Sequence, residues 1–379
     1  MKKIVVLYKF LPQYRKEFFN LLKIELAKHS IELELIYGKI ANVDVLKGDE
    51  VDIEWARFIP NRTWKIGKTE LLWQPCIKYL KDNDLVIVEG ANRLILNYYL
   101  MIAKHFSKFK LAFWGHGRNL QENIGSNRNR FKYLFINKCD WWFGYTKGTK
   151  NFLMSNRFPE PKITVVQNAI DTISLRKCYN EISASDINDL KNQLGIKKCK
   201  TGIYCGAMYP DKKLDFVIET CYRIKREIPD FHMIFIGSGV ESYKVLEASK
   251  YSDWMHYVGS KFGVERVRYF KIAQIQLMPY NVGLGIIDSF AMETPLITTF
   301  SPFHGPEIEY LENGVNGLLT KESIEDYSRT AIETLNSMVF LDLIKGCKLS
   351  AEVYTIETMV ENFKNGVLSC LNTKAFNIN

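Results

Sequence analysis

The chain has 379 residues and a mass of 44.1 kDa, more than one ordinary core fills, so two domains of typical size are expected. Apolar residues make up 47% and charged residues 25%, a globular balance that excludes the disordered, collagen-like and low-complexity classes. The formal charge of +9 is uneven, with +12 on residues 1–170 and −3 on residues 171–379. Such an asymmetry turns the first half toward a polyanion, nucleic acid or an anionic membrane surface; an ordinary solvated Lys-rich surface is the plainer alternative. No apolar run is long enough to cross a bilayer, and Pro12 interrupts the N-terminal run before a signal-peptide core forms, so a cytoplasmic chain is expected. The eight cysteines lack the spacing of a zinc site or a disulfide scaffold and read as reduced thiols.

In chain order, short apolar runs at 4–8, 31–37, 84–89, 110–115, 141–146 and 163–168 predict strands. Longer amphipathic stretches between them predict helices over Tyr14–Lys28, Lys68–Lys81, Arg93–Phe106, Arg128–Cys139 and Thr149–Met154. A polar interval after Asp171, about thirty residues without apolar runs, reads as a linker. The alternation then restarts: strands at 201–206, 231–237, 255–259, 275–279, 295–299 and 317–320, with helices over Lys213–Glu227, after Val240, over Val264–Lys271 and over Ile286–Met292. Repeated strand and helix with right-handed crossovers give an α/β chain of two Rossmann-like domains, residues 1–170 and 171–355. A helical tail, 356–379, is expected to pack back on the first domain. Ligands of open α/β sheets bind at the carboxyl ends of the strands, so the active site is expected between the two sheets.

Several segments sit where such sheets place chemistry. GAMYPDKK puts Lys213 at a helix start, where free amides and the macrodipole favour an anion, with Gly206 opening the loop. NVGLGIIDSF brings Gly283, Leu284 and Gly285 before a helix, a candidate phosphate cradle, and Asp288 one turn inside, a candidate acceptor for ribose hydroxyls or a simple helix-start charge. Gly237 in IGSGVE shapes a strand-to-helix turn, and Ser260 and Lys261 in VGSKF are candidates for the base-side wall. WGHGRN sets His116 between two glycines at a strand end, followed by Arg118. Arg15, in LPQYRKEFF, is expected to face the cleft and touch an acceptor or donor phosphate. The stretches 93–110 and 127–143 interleave Lys and Arg with large apolar residues; each is either a membrane-interface segment or a buried helix with a basic outer face.

In order and spacing, VVQNAID (165–171), YCGAMYPDKKLDFVIE (204–219), FIGSGVESY (235–243), PYNVGLGIIDSFAMETPLIT (279–298) and PEIEYLENGVNGLL (306–319) resemble the donor-binding domain of the retaining glycosyltransferases of family 4, which have the GT-B fold. The likeness is closest to members of polysaccharide, O-antigen and capsule assembly that open with a Pro-x-Tyr-Arg segment. It implies that Lys213 is the phosphate lysine, that His116 contacts the donor sugar, and that Glu307 holds the family's Pro-Glu position. Two departures stand out: the family's arginine after the glycine is Ala207 here, and the first of its two glutamates is Tyr280. The implied activity is a hexosyltransferase-type transfer, without an essential metal or cofactor, from a UDP- or GDP-sugar to a lipid-diphosphate-linked saccharide. The enzyme would sit peripherally on the inner face of the cell membrane and bind no nucleic acid. The rival readings are a related sugar-nucleotide epimerase and a catalytically impaired basic scaffold that binds membrane or RNA.

Overall fold

The structure, a computed structural model, describes residues 1–39, 49–67, 69–117, 133–197 and 200–373. The chain divides into two compact units, Met1–Asn168 with Ile356–Asn379, and Ala169–Thr355.

In chain order the first unit contains β1 (Lys2–Tyr8), α1 (Lys16–Ala27), β2 (Ile31–Tyr37), β3 (Arg57–Phe58), β4 (Arg62–Ile66), β5 (Thr69–Trp73) and β6 (Leu85–Glu89). It continues with α2 (Ile95–Ala103), β7 (Lys110–Gly115), β8 (Trp141–Gly144), α3 (Lys147–Ser155) and β9 (Ile163–Val165). Seven of these strands form a parallel sheet in the order β3-β2-β1-β6-β7-β8-β9. The central strands are buried on both faces, which is why they read as unbroken apolar runs rather than alternating ones; Ile4, Val5 and Val6 are fully buried. The chain crosses from one side of β1 to the other between β2 and β6, so the crevice of this sheet lies at the carboxyl ends of β1 and β6.

Two expectations for this unit are corrected. Lys68–Lys81 is not a helix: β4 and β5 form a separate antiparallel hairpin, with Arg62 opposite Trp73 and Trp64 opposite Leu71, closed around Gly67 at φ +58°. The turn needs a left-handed residue, and the alternation of Leu71 and Trp73 on one face of a strand outweighs the helical spacing. Only a short 3-10 turn, Ile77–Tyr79, is left of the expected helix. Of Arg128–Cys139, residues up to 132 lie outside the described residues, and 134–139 are turn and bend.

The second unit begins with α4 (Thr172–Glu181) and α5 (Ala184–Gln193), where a linker was expected. Each starts at a side-chain cap, Asp171 accepting from the Ser174 amide and Ser183 from the Asp186 amide, and each turns an apolar residue inward, Leu175 and Leu190. The sparse apolar content reflects helices that cover the outside of a domain. Then follow β10 (Lys200–Cys205), α6 (Leu214–Glu227), β11 (Phe231–Ile236), α7 (Ser242–Lys250), β12 (Met255–Tyr257), α8 (Val267–Ile272) and β13 (Ile275–Leu277). The unit ends with α9 (Gly285–Ala291), β14 (Leu296–Thr299), β15 (Gly317–Thr320), α10 (Ile324–Asn336) and α11 (Val339–Val353). Its six strands are parallel in the order β12-β11-β10-β13-β14-β15, so the strand order reverses between β10 and β13.

The last helix, α12 (Ile356–Asn372), belongs to the first unit. Its inward stripe, Ile356, Met359, Val360, Phe363 and Val367, follows helical spacing, and the Phe363 ring stacks on Phe143 at 4.2 Å. Gly366 is required by contact: a Cβ there would lie 2.5 Å from Thr164 Oγ1 and 2.6 Å from the Phe143 ring. The Lys110 ammonium donates to the carbonyl oxygen of Cys370 at 2.6 Å, near the end of α12.

Arg15 is also placed differently from the expectation that it reaches a ligand. It is 1% exposed, donates to Asn168 Oδ1 at 2.5 Å and lies 3.5 Å from Met359 Sδ. The rings of Tyr14, Phe18, Trp114 and Tyr145 surround the guanidinium at 5.0–5.8 Å. No carboxylate pairs with it among the described residues; ring faces and an amide oxygen stabilise the charge instead. Arg15→Ala is expected to destabilise the first unit by about 3 kcal/mol, through the cavity and the lost contacts. Denaturant unfolding measures that loss, and nucleoside diphosphate affinity should be unchanged in the folded variant.

Candidate functional site

In the second unit the crevice between β10 and β13 collects most of the sequence candidates. β10 runs into Gly206, whose amide donates to the Ile236 carbonyl at 3.0 Å. The loops after β10 and β11 lie backbone against backbone: a Cβ on Gly237, at φ +141°, would stand 1.9 Å from the Gly206 oxygen. Gly237 therefore serves this contact, and only glycine satisfies it. Beside it Ser260 donates to Ser238 at 2.8 Å, while Lys261 pairs with Glu265 at 2.7 Å.

The GAMYPDKK loop turns through Pro210–Lys212 and ends at Lys213, held at φ +48° as the residue capping α6. α6 forms because Leu214, Val217, Cys221 and Ile224 repeat at helical spacing and bury one face. The Lys213 ammonium lies 3.9 Å from the centroid of the Tyr280 ring and 3.0 Å from Glu322 Oε1. Tyr280 Oη donates to the same carboxylate oxygen at 2.9 Å. The hydrogen bond from Lys213 is the largest influence holding the Glu322 carboxyl below its usual range, and burial raises the Tyr280 phenol. Next to this cluster Lys212 donates to the Asn281 carbonyl and Asn281 to Asp211, which ties the loop after β10 to the loop after β13.

Beyond Asn281 the Val282 amide donates to His304 Nδ1 at 3.0 Å, and His304 Nε2 donates to the Thr299 carbonyl at 2.8 Å. This arrangement fixes a neutral imidazole, and burial lowers its pKa. Glu307 is 3% exposed, and its Oε2 would be 3.8 Å from a Cβ on Gly283. Gly283 thus leaves the loop open, whereas a Cβ on Gly285 would crowd Met278 Sδ at 3.1 Å. Leu284 precedes α9. Asp288 is buried inside α9 and accepts from Arg266 at 2.6 Å. Burial pushes its carboxyl up to about 6, and the Arg266 charge works against that rise.

In the first unit His116 follows β7 between Gly115 at φ +148° and Gly117 at φ +73°. Its ring meets Tyr145 edge-on at 4.5 Å, and Tyr145 also borders Arg15, so His116 and Arg15 share one aromatic neighbour. Arg118 lies outside the described residues. Sequence reading did not single out Glu322, Arg266 or His304. Glu322 had one signal, its place directly before Ser323, the cap of α10, at the carboxyl end of β15. No group of three or more His, Cys, Asp or Glu is placed to hold a metal among the described residues. No helix among them is long and apolar enough to cross a membrane.

An acid whose pKa is higher in the folded state than in the unfolded one opposes folding once it ionises. Between about pH 4 and 6 the unfolded chain releases the Asp288 proton first, so this residue lowers the stability of the second unit as pH rises through that window. Asp288→Asn is expected to flatten that part of the profile; melting temperatures measured from pH 4 to 7 check it.

Residues 199–337 match the family described as Glycosyl transferases group 1, and this span holds β10 through α10 with every second-unit candidate. Over 304 residues the chain is 24% identical to an uncharacterized glycosyltransferase of Haemophilus influenzae, covering 77% of this chain and 78% of the relative. Among solved structures, Anabaena HepE in complex with UDP-glucose superposes with a TM-score of 0.71 at 14% identity, over 97% of this chain and 100% of the other. The lipopolysaccharide outer core galactosyltransferase WaaB gives 0.66 at 15% identity, over 97% and 99%. The chain has the GT-B fold, and the match of residues 199–337 to the Glycosyl transferases group 1 family, together with the glycosyltransferase relative, supports a glycosyltransferase of GT-B type.

Proposed function

We propose that the chain is a retaining, metal-independent hexosyltransferase that moves a sugar from a UDP- or GDP-sugar to a lipid-linked saccharide on the inner face of the cell membrane, in the assembly of a cell-surface polysaccharide. The observation that carries the reading is the meeting of the loops after β10 and β13 at the switch point of the second sheet, with the Lys213 ammonium over the Tyr280 ring between them. A fixed cation beside backbone amides suits the diphosphate of a nucleotide sugar. The UDP-glucose bound by HepE supports this donor class, and the lipopolysaccharide substrate of WaaB supports the acceptor class.

In the proposed step the acceptor hydroxyl oxygen bonds to the anomeric carbon on the face from which the diphosphate departs. The bond from that carbon to the phosphate oxygen breaks, its electron pair leaves on the nucleoside diphosphate, and the hydroxyl proton passes to a departing phosphate oxygen. Lys213 offsets the charge that grows on the leaving group. The test incubates the purified chain with UDP- and GDP-sugars and a lipid-diphosphate saccharide. It reads nucleoside diphosphate release, sugar in the lipid fraction and the anomeric configuration of the product by NMR. Release that survives EDTA and a product of retained configuration are expected; no release with any donor overturns the reading.

Lys213→Ala is expected to weaken nucleoside diphosphate binding at least about tenfold, since a lost charge-assisted contact to phosphate costs roughly 1.5–3 kcal/mol. Calorimetry that finds unchanged affinity in a folded variant removes Lys213 from the site. For His116→Ala the expected loss is on the order of a hundredfold in turnover with nucleoside diphosphate affinity retained, because the nucleotide site is built by the second unit. Steady-state rates set beside calorimetry separate the two effects.

A further inference from the structure

The hairpin β4–β5 and helix α2 present one outward face that the donor site does not use. Tyr99, Ile102 and Phe106 fall at helical spacing along α2 and the short 3-10 turn that extends it, and they are 42%, 65% and 86% exposed. A buried helix with a basic outer face would turn charge outward along this stripe; here the stripe is apolar. The hairpin continues the face: the Trp73 ring meets Tyr99 edge-on at 6.3 Å, and Leu71 and Trp64 stand opposite each other across the strands on the side of the hairpin that carries Trp73. Trp64 is 48% exposed. Backbone ties the two elements, the Leu72 amide donating to the Arg93 carbonyl at 2.8 Å.

Exposed cations edge this face. Arg62 stands on the same side of the hairpin as Trp64, Arg93 precedes α2, and Lys108 follows Phe106, all of them exposed. Among the described residues none of the three is held in an ion pair, whereas Lys104 in the same stretch is committed to Asp140. Large apolar and aromatic groups standing out of the surface, ringed by uncommitted Lys and Arg, fit a boundary that is apolar within and anionic at its rim. We infer that this face, made by Trp64, Leu71, Trp73, Tyr99, Ile102 and Phe106 with its basic edge, docks the protein on an anionic lipid bilayer. The inference deepens the membrane placement proposed above by naming the surface, and it does not depend on catalysis.

The test is co-sedimentation of the full chain with vesicles of neutral phosphatidylcholine and of phosphatidylcholine with phosphatidylglycerol. The expected result is binding to the anionic vesicles only, weakening as salt rises. Ile102→Ser with Phe106→Ser should lower that binding at least tenfold, and so should Arg62, Arg93 and Lys108 changed together to Ser. Both variants should keep the parent's melting temperature and nucleoside diphosphate affinity. Bromine on the lipid chains should quench tryptophan fluorescence of the full chain, and Trp64→Phe should remove part of that quenching. Unchanged vesicle binding in the serine variants overturns the inference. So does a monomer released from an oligomer by Phe106→Ser, which makes the face a contact between copies. If the chain binds vesicles through this face but releases no nucleoside diphosphate from any donor, the docking surface stands and the glycosyltransferase reading falls.

Discussion

A single buried cation organises the first unit. Arg15 brings together residues far apart in the sequence: Phe18 from α1, Trp114 from β7, Tyr145 after β8, Asn168 after β9 and Met359 from α12. A guanidinium without a carboxylate tolerates burial only if its charge is met from several sides, and that demand fixes where each aromatic ring stands. Phe18, Trp114 and Phe143 then form the surface on which Phe363 packs, so the seat of α12 follows from the setting of Arg15. His116 inherits its place from the same frame, through the Tyr145 ring it touches.

The second unit solves a different problem, keeping positive charge available near the surface. Lys213 is half exposed and answered by Glu322, also half exposed, while Tyr280 bonds the same carboxylate and offers its ring to the ammonium. An exposed pair of this kind contributes little to stability, so Glu322 holds the Lys213 ammonium only weakly. Asp288 and Arg266 behave otherwise. Asp288 is buried and Arg266 partly so, and that pairing commits the carboxylate to a structural partner.

What the sequence made legible follows from where periodicity is strong. The parallel strands announce themselves because both faces are covered, as at Ile4–Val6, Ile234–Ile236 and Leu296–Ile297. The glycines at 237 and 283 and the lysine at 213 were visible because turn chemistry and a strand-to-helix junction restrict the residue types that fit. The hairpin was missed because Trp73, Cys76, Ile77 and Leu80 fall at helical spacing and mimic a helical face, while Gly67, the residue that forces the turn, sits a few residues before them. The helices taken for a linker carried their evidence in their caps, Asp171 and Ser183, not in their apolar content. Glu322, Arg266 and Met359 were invisible for a different reason: their partners lie 22 to 344 residues away, and no local pattern marks such a pairing.

The return of the chain to its first unit has a consequence for how the protein is made. A ribosome releases β1 through β9 long before α12, so the platform formed by Phe18, Trp114 and Phe143 waits uncovered while the whole second unit is synthesised. The unit that begins second therefore has all its parts first. Nascent chains that stall before residue 356 expose aromatic surface, a feature that chaperones and proteases read as unfinished. A premature stop before the codon for Ile356 would accordingly harm the amino-terminal unit, although every residue of its sheet had already been translated.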